Sequence, residues 1–376
     1  MMLSVRKKIV GSFAVLLLSL SALMHANAAG PDLLKAKQEA EAKGYIFFTS
    51  HEEIVAEAKK EGKLRVNSGL EPQTFKPLIN GFKQNYPFLT DVQVEELSGS
   101  NADERFLVEI KLGQAKGWDI SRISHDFAKD YVPYLMKHEI LGMAKQGVLK
   151  IEPRMVHPLE RNMVSATSTI RAVVYNRKLL PEEQVPAKWE DFLKPEFRER
   201  KFVLDVHPTA VAALVPAWGM ERTLDFARKL AAQQPVWGRV SRRITTAILA
   251  GEYALYWGPN FNIVESAMGK DPTGTLGYKI IEPVPTMSVW HVDAILKTAD
   301  HPNVALLWLE FLASPEGQAI IDKHEPLRAS VFTAGSATEQ ATRGKKLSMI
   351  DWDHFTRFQQ YIEKVFAAYG FPKAEK

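Results

Sequence analysis

The chain has 376 residues, 46% of them hydrophobic and 24% charged, with no cysteine and a formal net charge of +4. That length suggests two domains with enough apolar material for packed cores. The missing cysteines exclude disulfides, zinc-thiolate and iron-sulfur sites, a thiol nucleophile and a lipid-modified cysteine.

Arg6, Lys7 and Lys8 precede an uncharged apolar run from Ile9 to Met24, which exits through His25-Ala26-Asn27-Ala28-Ala29. This basic, apolar, small-residue order predicts a secretory signal peptide cleaved after Ala28, and the apolar run is too short to span a bilayer. Discarding its three positive charges leaves +1 on the mature chain. With no basic arm and no dense Lys/Arg stripe, nucleic acid is not an expected partner.

Pro31 to Ser50 reads as a mobile start. Glu52 to Glu61 has acids early, lysines late and Gly62 as a stop, the pattern of a helix matched to its own dipole. A short strand at Lys63–Asn67 and a helix from about Thr74 to Asn85 follow. Next come an alternating strand at Asp91–Glu95, a helix at Ala102–Ala115 and a strand at Trp118–Ile123. Three strand-loop-helix units in a row predict an α/β domain whose ligands bind at the carboxyl ends of the strands. Those ends carry Ser68-Gly69, Ser98-Gly99-Ser100-Asn101 and Ser124-His125-Asp126. The second loop is equally well explained as a helix cap.

Strand candidates at Met163–Ala166 and Ala172–Tyr175 flank Thr167-Ser168-Thr169. A second α/β pattern then runs through the strand Lys201–Asp205, the polar turn Val206-His207-Pro208-Thr209, helices at Met220–Ala232 and Ser241–Ala250, and the strand Tyr253–Trp257. Gly258-Pro259-Asn260 opens a further helix. Strands at Leu276–Ile281 and Trp290–Leu296 precede helices at Asn303–Leu312 and Pro315–Lys323, and one helix from about Trp352 to Tyr369 closes the chain.

The export signal and six phrases occur in a characteristic order: EAKKEGKLRVNSGL, WDISRIS, VVYNRKLLP, PAKWEDFLKPEFRERKFVLDV, LAGEYALYWGPNFN and HPNVALLWLEFLASPEGQAII. Together, over about Glu52 to Arg328, they resemble the periplasmic solute-binding proteins of ABC importers, in the type II cluster that contains ferric-iron, thiamine and phosphonate binders. The resemblance implies a two-lobed α/β fold with mixed, mostly parallel sheets and two hinge crossings. Lobe one would hold residues 29–166 and 287–376, and lobe two residues 167–286 with hinge segments at both ends. It implies a monomer in the periplasm that captures a small solute and hands it to a membrane permease, with no enzymatic activity and no cofactor.

Ferric binders of this cluster commonly carry a Tyr-Tyr pair after a Gly-Glu-Tyr phrase; here Gly251-Glu252-Tyr253 leads instead to Phe261-Asn262, and Phe cannot ligate iron. The remaining neutral donors favour an anion or zwitterion: Ser68, Gly69, Ser98, Gly99, Ser100, Ser124, Thr167, Ser168, Thr209 and Asn260 at strand ends and helix starts, while the turn from Asp205 to Thr209 reads either as ordinary turn chemistry or as the ligand-facing surface of the second lobe. Arg239, with Arg242 and Arg243, reads either as a carboxylate clamp or as a solvated basic face. Tyr256, Trp257 and Trp290 are candidates for stacking on a ring, or are core. His125, His207 and His291 lie near strand ends and serve either as ligand contacts or as metal ligands, so a ferric or other metal-binding protein is an alternative. A periplasmic hydrolase or lyase is an alternative of another class, although no Gly-x-Ser-x-Gly, His-Glu-x-x-His or Walker motif occurs.

Overall fold

The computed structural model describes residues 30–97 and 100–371. The signal peptide expected up to Ala28, and Ser98 and Gly99 of the second loop, lie outside the described residues. Thirteen strands run in chain order among these residues. They are β1 (Lys63–Ser68), β2 (Asp91–Glu96), β3 (Ile120–Ile123), β4 (Met163–Val164), β5 (Thr169–Ile170), β6 (Val173–Asn176), β7 (Val203–Asp205), β8 (Val236–Gly238), β9 (Leu255–Trp257), β10 (Leu276–Lys279), β11 (Val284–Met287), β12 (Val292–Ile295) and β13 (Leu347–Ile350).

Two five-stranded sheets dominate. The first has the order β2-β1-β3-β12-β4, parallel across β2-β1-β3 and antiparallel at β12 and β4. The second has the order β10-β6-β9-β7-β8, parallel only across β9-β7-β8. Between them a three-stranded sheet, β13-β11-β5, carries the crossings: Thr286 pairs with Ile170 and Met287 with Thr169. Thr167-Ser168-Thr169 and Pro283–Thr286 thus meet each other, and β13 joins them as a third connection.

Local signals explain the flanking helices. Ser50 Oγ accepts from the Glu53 amide at 3.2 Å, and Gly62 ends the His51–Glu61 helix with φ 66°, where a side chain would be strained. In the helix Pro302–Ala313 every residue from Val304 onward is buried, because it packs under the first sheet and against the His51–Glu61 helix. Its apolar run therefore belongs to a core, and among the described residues no single helix is long and apolar enough to cross a membrane. Ser314 and Gly317 make the corner into the helix Pro315–His324; a Cβ on Gly317 would overlap the Phe311 carbonyl oxygen. Gly317→Ala is expected to lower stability by about 2 kcal/mol, measured by urea unfolding, because backbone cannot move aside as a side-chain tip can.

Three expectations change. Pro31 to Ser50 contains a helix, Pro31–Glu41, anchored by Ala40 in the first core. The closing helix is two, Trp352–Phe355 and Phe358–Ala368. The second of these does not join the first sheet's body. It buries Phe358, Tyr361, Ile362 and Val365 against helices Thr209–Ala212 and Met220–Ala232 of the second body, because that amphipathic face matches the apolar side of Met220–Ala232.

Candidate ligand-binding site

A cleft of about 420 Å³ lies between the two bodies, and strand ends supply most of its wall. From the first sheet come Gly69 after β1, Glu96 and Leu97 at the end of β2, and Ser124, His125 and Asp126 after β3. From the second come Asp205, His207 and Thr209 at β7, Ser241 and Arg242 after β8, and Gly258, Asn260 and Asn262 after β9. Parallel strands end together with their loops turning outward, so both sheets present loop backbone and helix starts to the same space. Arg171, Trp290, His291 and Arg328 complete it from the crossings and the segments beside them.

Three of the wall residues are buried arginines. Arg122 sits in the fully buried strand β3, donating to the Leu97 carbonyl at 3.3 Å and to the carboxylate of Asp103, which is itself buried. Arg328 donates to Nδ1 of His291 at 3.0 Å and has Glu325 Oε2 at 3.9 Å. The Arg171 side chain has the Met287 sulfur, at 3.9 Å, as its one hydrogen-bond partner among the described residues and makes no ion pair there, although the charge of Asp205 acts on it. Burial holds the guanidinium pKa values of Arg171 and Arg328 down to about 10. The Trp290 ring lies beside both cations, 5.7 Å from Arg171 and 5.9 Å from Arg328. The Nε atoms of all three arginines are buried without a hydrogen-bond partner among the described residues.

Around these cations burial lowers the pKa values of two histidines. Burial, then the charges of Arg122 and Arg328, keep His291 well below its ordinary range. Neutral His291 can accept from Arg328, and its ring presses so closely on Gly69 that an added Cβ there would stand 2.5 Å from Nδ1. Burial likewise lowers His125. Asp293, the cross-strand partner of Arg122, is pushed by burial up to about 7, against the pull of Arg122 and Arg328.

The cleft brings together Gly69, Ser124, His125, Asp205, His207, Thr209, Asn260 and His291 among the residues the sequence singled out. Others serve the walls. Ser68 Oγ accepts from the Leu70 amide at 3.2 Å and Ser168 Oγ from the Val331 amide at 3.0 Å, so both hydroxyls shape backbone. Thr167 borders a small void of about 10 Å³ behind Gly69 and His291. Ser100 begins the helix Ser100–Lys111. Tyr256 lies beneath the cleft, its hydroxyl 2.9 Å from Ser241 Oγ and 3.4 Å from Asp205.

Two sequence readings are corrected. Trp257 is not a stacking platform: β9 is covered on both faces, and the ring packs 4.7 Å from Trp189 and 6.2 Å from Phe226 in the second core. Arg239 does not reach the cleft; it borders a separate cavity of about 250 Å³ with Arg243 and Trp237. Its neighbour Arg242 does line the cleft, and bonds Glu71 across it at 3.1 Å. Phe261, in place of a tyrosine, is buried against Tyr278. Arg122, Arg171 and Arg328 escaped the sequence reading. The available signal, for Arg122 and Arg171 alone, was an arginine among strand-forming apolar residues (Ile120 and Ile123, Ile170 and Val173), which needs a buried partner or a ligand once the fold covers it.

Residues 127–357 match the family model described as bacterial extracellular solute-binding protein. The chain belongs to this family. A curated relative of this solute-binding protein is the sulfate-binding protein of Salmonella typhimurium, 24% identical over 230 residues, which are 55% of this chain and 65% of the relative's length. Among solved structures, iron-bound HitA from Pseudomonas aeruginosa has a TM-score of 0.62 at 17% identity, covering 81% of this chain and 99% of that one. The apo ferric ion-binding protein A of Pasteurella haemolytica has a TM-score of 0.62 at 16% identity, covering 84% and 100%. The substrate-binding protein of an ABC transporter from Agrobacterium tumefaciens has a TM-score of 0.61 at 18% identity, covering 83% and 96%. These likenesses show the two-lobed periplasmic-binding fold, with the cleft between the lobes.

Proposed function

We propose that this solute-binding protein is the exported capture component of an ABC importer, closing its lobes on a small oxyanion and delivering it to the membrane permease. It acts as a binder without covalent chemistry, in the periplasm after removal of its signal peptide, and as a monomer. The observation that carries the ligand's charge is the set of three buried guanidiniums at one cleft, of which Arg171 makes no ion pair among the described residues and has only the charge of nearby Asp205 to offset it. A buried cation without a partner costs several kcal/mol, and a bound anion supplies the missing partner. The sulfate-binding relative agrees with an anionic ligand. The iron named for the structural neighbours needs an excess of hard anionic donors, whereas the cleft's Glu71, Glu96, Asp126 and Asp205 are matched in number by Arg122, Arg171, Arg242 and Arg328, and Phe261 offers no phenolate.

On this reading the lobes divide near Thr167–Thr169 and Pro283–Thr286, with the last helix riding on lobe two. A cognate anion is expected to raise the melting temperature, shift the fluorescence of Trp290 and shrink the radius of gyration in small-angle scattering as the lobes close. Silence in all three readouts across inorganic and organic anions, with binding of ferric iron instead, would reverse the assignment.

A further inference from the structure

The cleft is too varied in its hydrogen-bonding needs for a bare inorganic anion. The unpartnered atoms at the cleft differ in kind. The Nε atoms of Arg122, Arg171 and Arg328 are donors and call for an anionic oxygen. Asn260 and Asn262 each leave a buried side-chain amide oxygen without a partner, and an amide oxygen calls for a donor. Both asparagines stand at the start of the helix Phe261–Met268, on the second sheet's side of the cleft. Arg122 stands on the first sheet's side.

We infer that the ligand is a hydroxyl-bearing organic oxyanion, its acidic group held by the arginines and its hydroxyls donating to Asn260 and Asn262. This inference deepens the oxyanion reading and rests on it. An acid group and a hydroxylated body together satisfy both classes of unpartnered atom, which sulfate alone does not. A buried polar group built to meet a hydroxyl discriminates strongly against an analogue that lacks it, because the group is then stranded.

Isothermal titration of the full mature chain tests this with matched pairs: malate against succinate, glucose 6-phosphate against hexyl phosphate, and sulfate and inorganic phosphate alone. The expected result is that one hydroxylated member binds at least about 100-fold more tightly than its matched partner and than either inorganic anion. The two pairs tell a carboxylate from a phosphate. Asn262→Ala is expected to cut that ratio about tenfold, weakening the hydroxylated member while the weaker partner binds more tightly because no oxygen is stranded, a pattern that general loss of structure would not produce. Equal affinity within both pairs, or sulfate or phosphate binding as tightly as any organic anion, overturns the inference and leaves the oxyanion reading standing. Absence of binding by every anion overturns both.

Discussion

Arg171→Met is expected to weaken anion binding at least about 100-fold and, in the same protein, to raise the melting temperature of the empty form. The two effects share one cause. Arg171 is buried with no ion pair among the described residues, its Nε has no partner, and its closest polar contact is a thioether sulfur. The empty protein therefore carries the desolvation of that charge with only the nearby charge of Asp205 and the Trp290 ring to offset it, and a Met of similar length relieves it. Replacement of buried charges by apolar side chains of similar volume is commonly neutral or stabilising by about 1 to 4 kcal/mol. The ligand, when it arrives, is the counter-charge, and truncating one partner of a buried charge pair costs about 2 to 5 kcal/mol of binding. Arg171→Lys separates charge from shape: it keeps the cation but loses the planar fork beside Trp290, so it is expected to retain part of the affinity. Titration calorimetry and thermal melts check all three proteins. A variant that binds normally would remove Arg171 from the site.

How far the sequence foretold this site depends on what kind of interaction each part needs. Elements held by local chemistry were legible: the cap at Ser50, the dipole-matched charges and Gly62 specify the first of the paired helices from neighbours in sequence alone. The boundaries Met220–Ala232 and Ser241–Ala250 follow from their periodicity and flanking polar residues. Strands β5, β11 and β13 were not legible as strands, because each is short and exists only through pairing with a distant segment. Binding loops at strand ends were legible for the same reason that the strands around them were. Arg122, Arg171 and Arg328 were not. An arginine reads as a surface residue until a fold places it in a buried strand or crossing, and only coordinates show that the three converge. Trp257 failed in the opposite direction: the glycine turn after it implied exposure, but β9 is a central strand with both faces covered.

The same buried charges make the site sensitive to pH, and Asp293 sets the direction. It stands opposite Arg122 in the antiparallel pairing of β3 and β12, and burial lifts its carboxyl from 3.8 to about 7. The folded protein thus holds this proton more tightly than the unfolded chain does. Stability is highest where both states are protonated, and this group lowers it as pH rises from about 4 through 7. Ligand affinity follows the same sign. Once ionised, Asp293 competes with the oxyanion for Arg122 and Arg328, so binding is expected to weaken about tenfold between pH 6 and pH 8. Burial lowers both His125 and His291, and His291, held well below its ordinary range, does not offset the loss. A carboxylate probe is the right ligand for the measurement, because its own titration lies below the window whereas a phosphate monoester's second proton does not. Asp293→Asn keeps the shape and removes the charge; its affinity is expected to be flat from pH 6 to pH 8 and at least equal to that of the natural chain at pH 6. A slope that persists in Asp293→Asn would assign the proton to another group in the cleft.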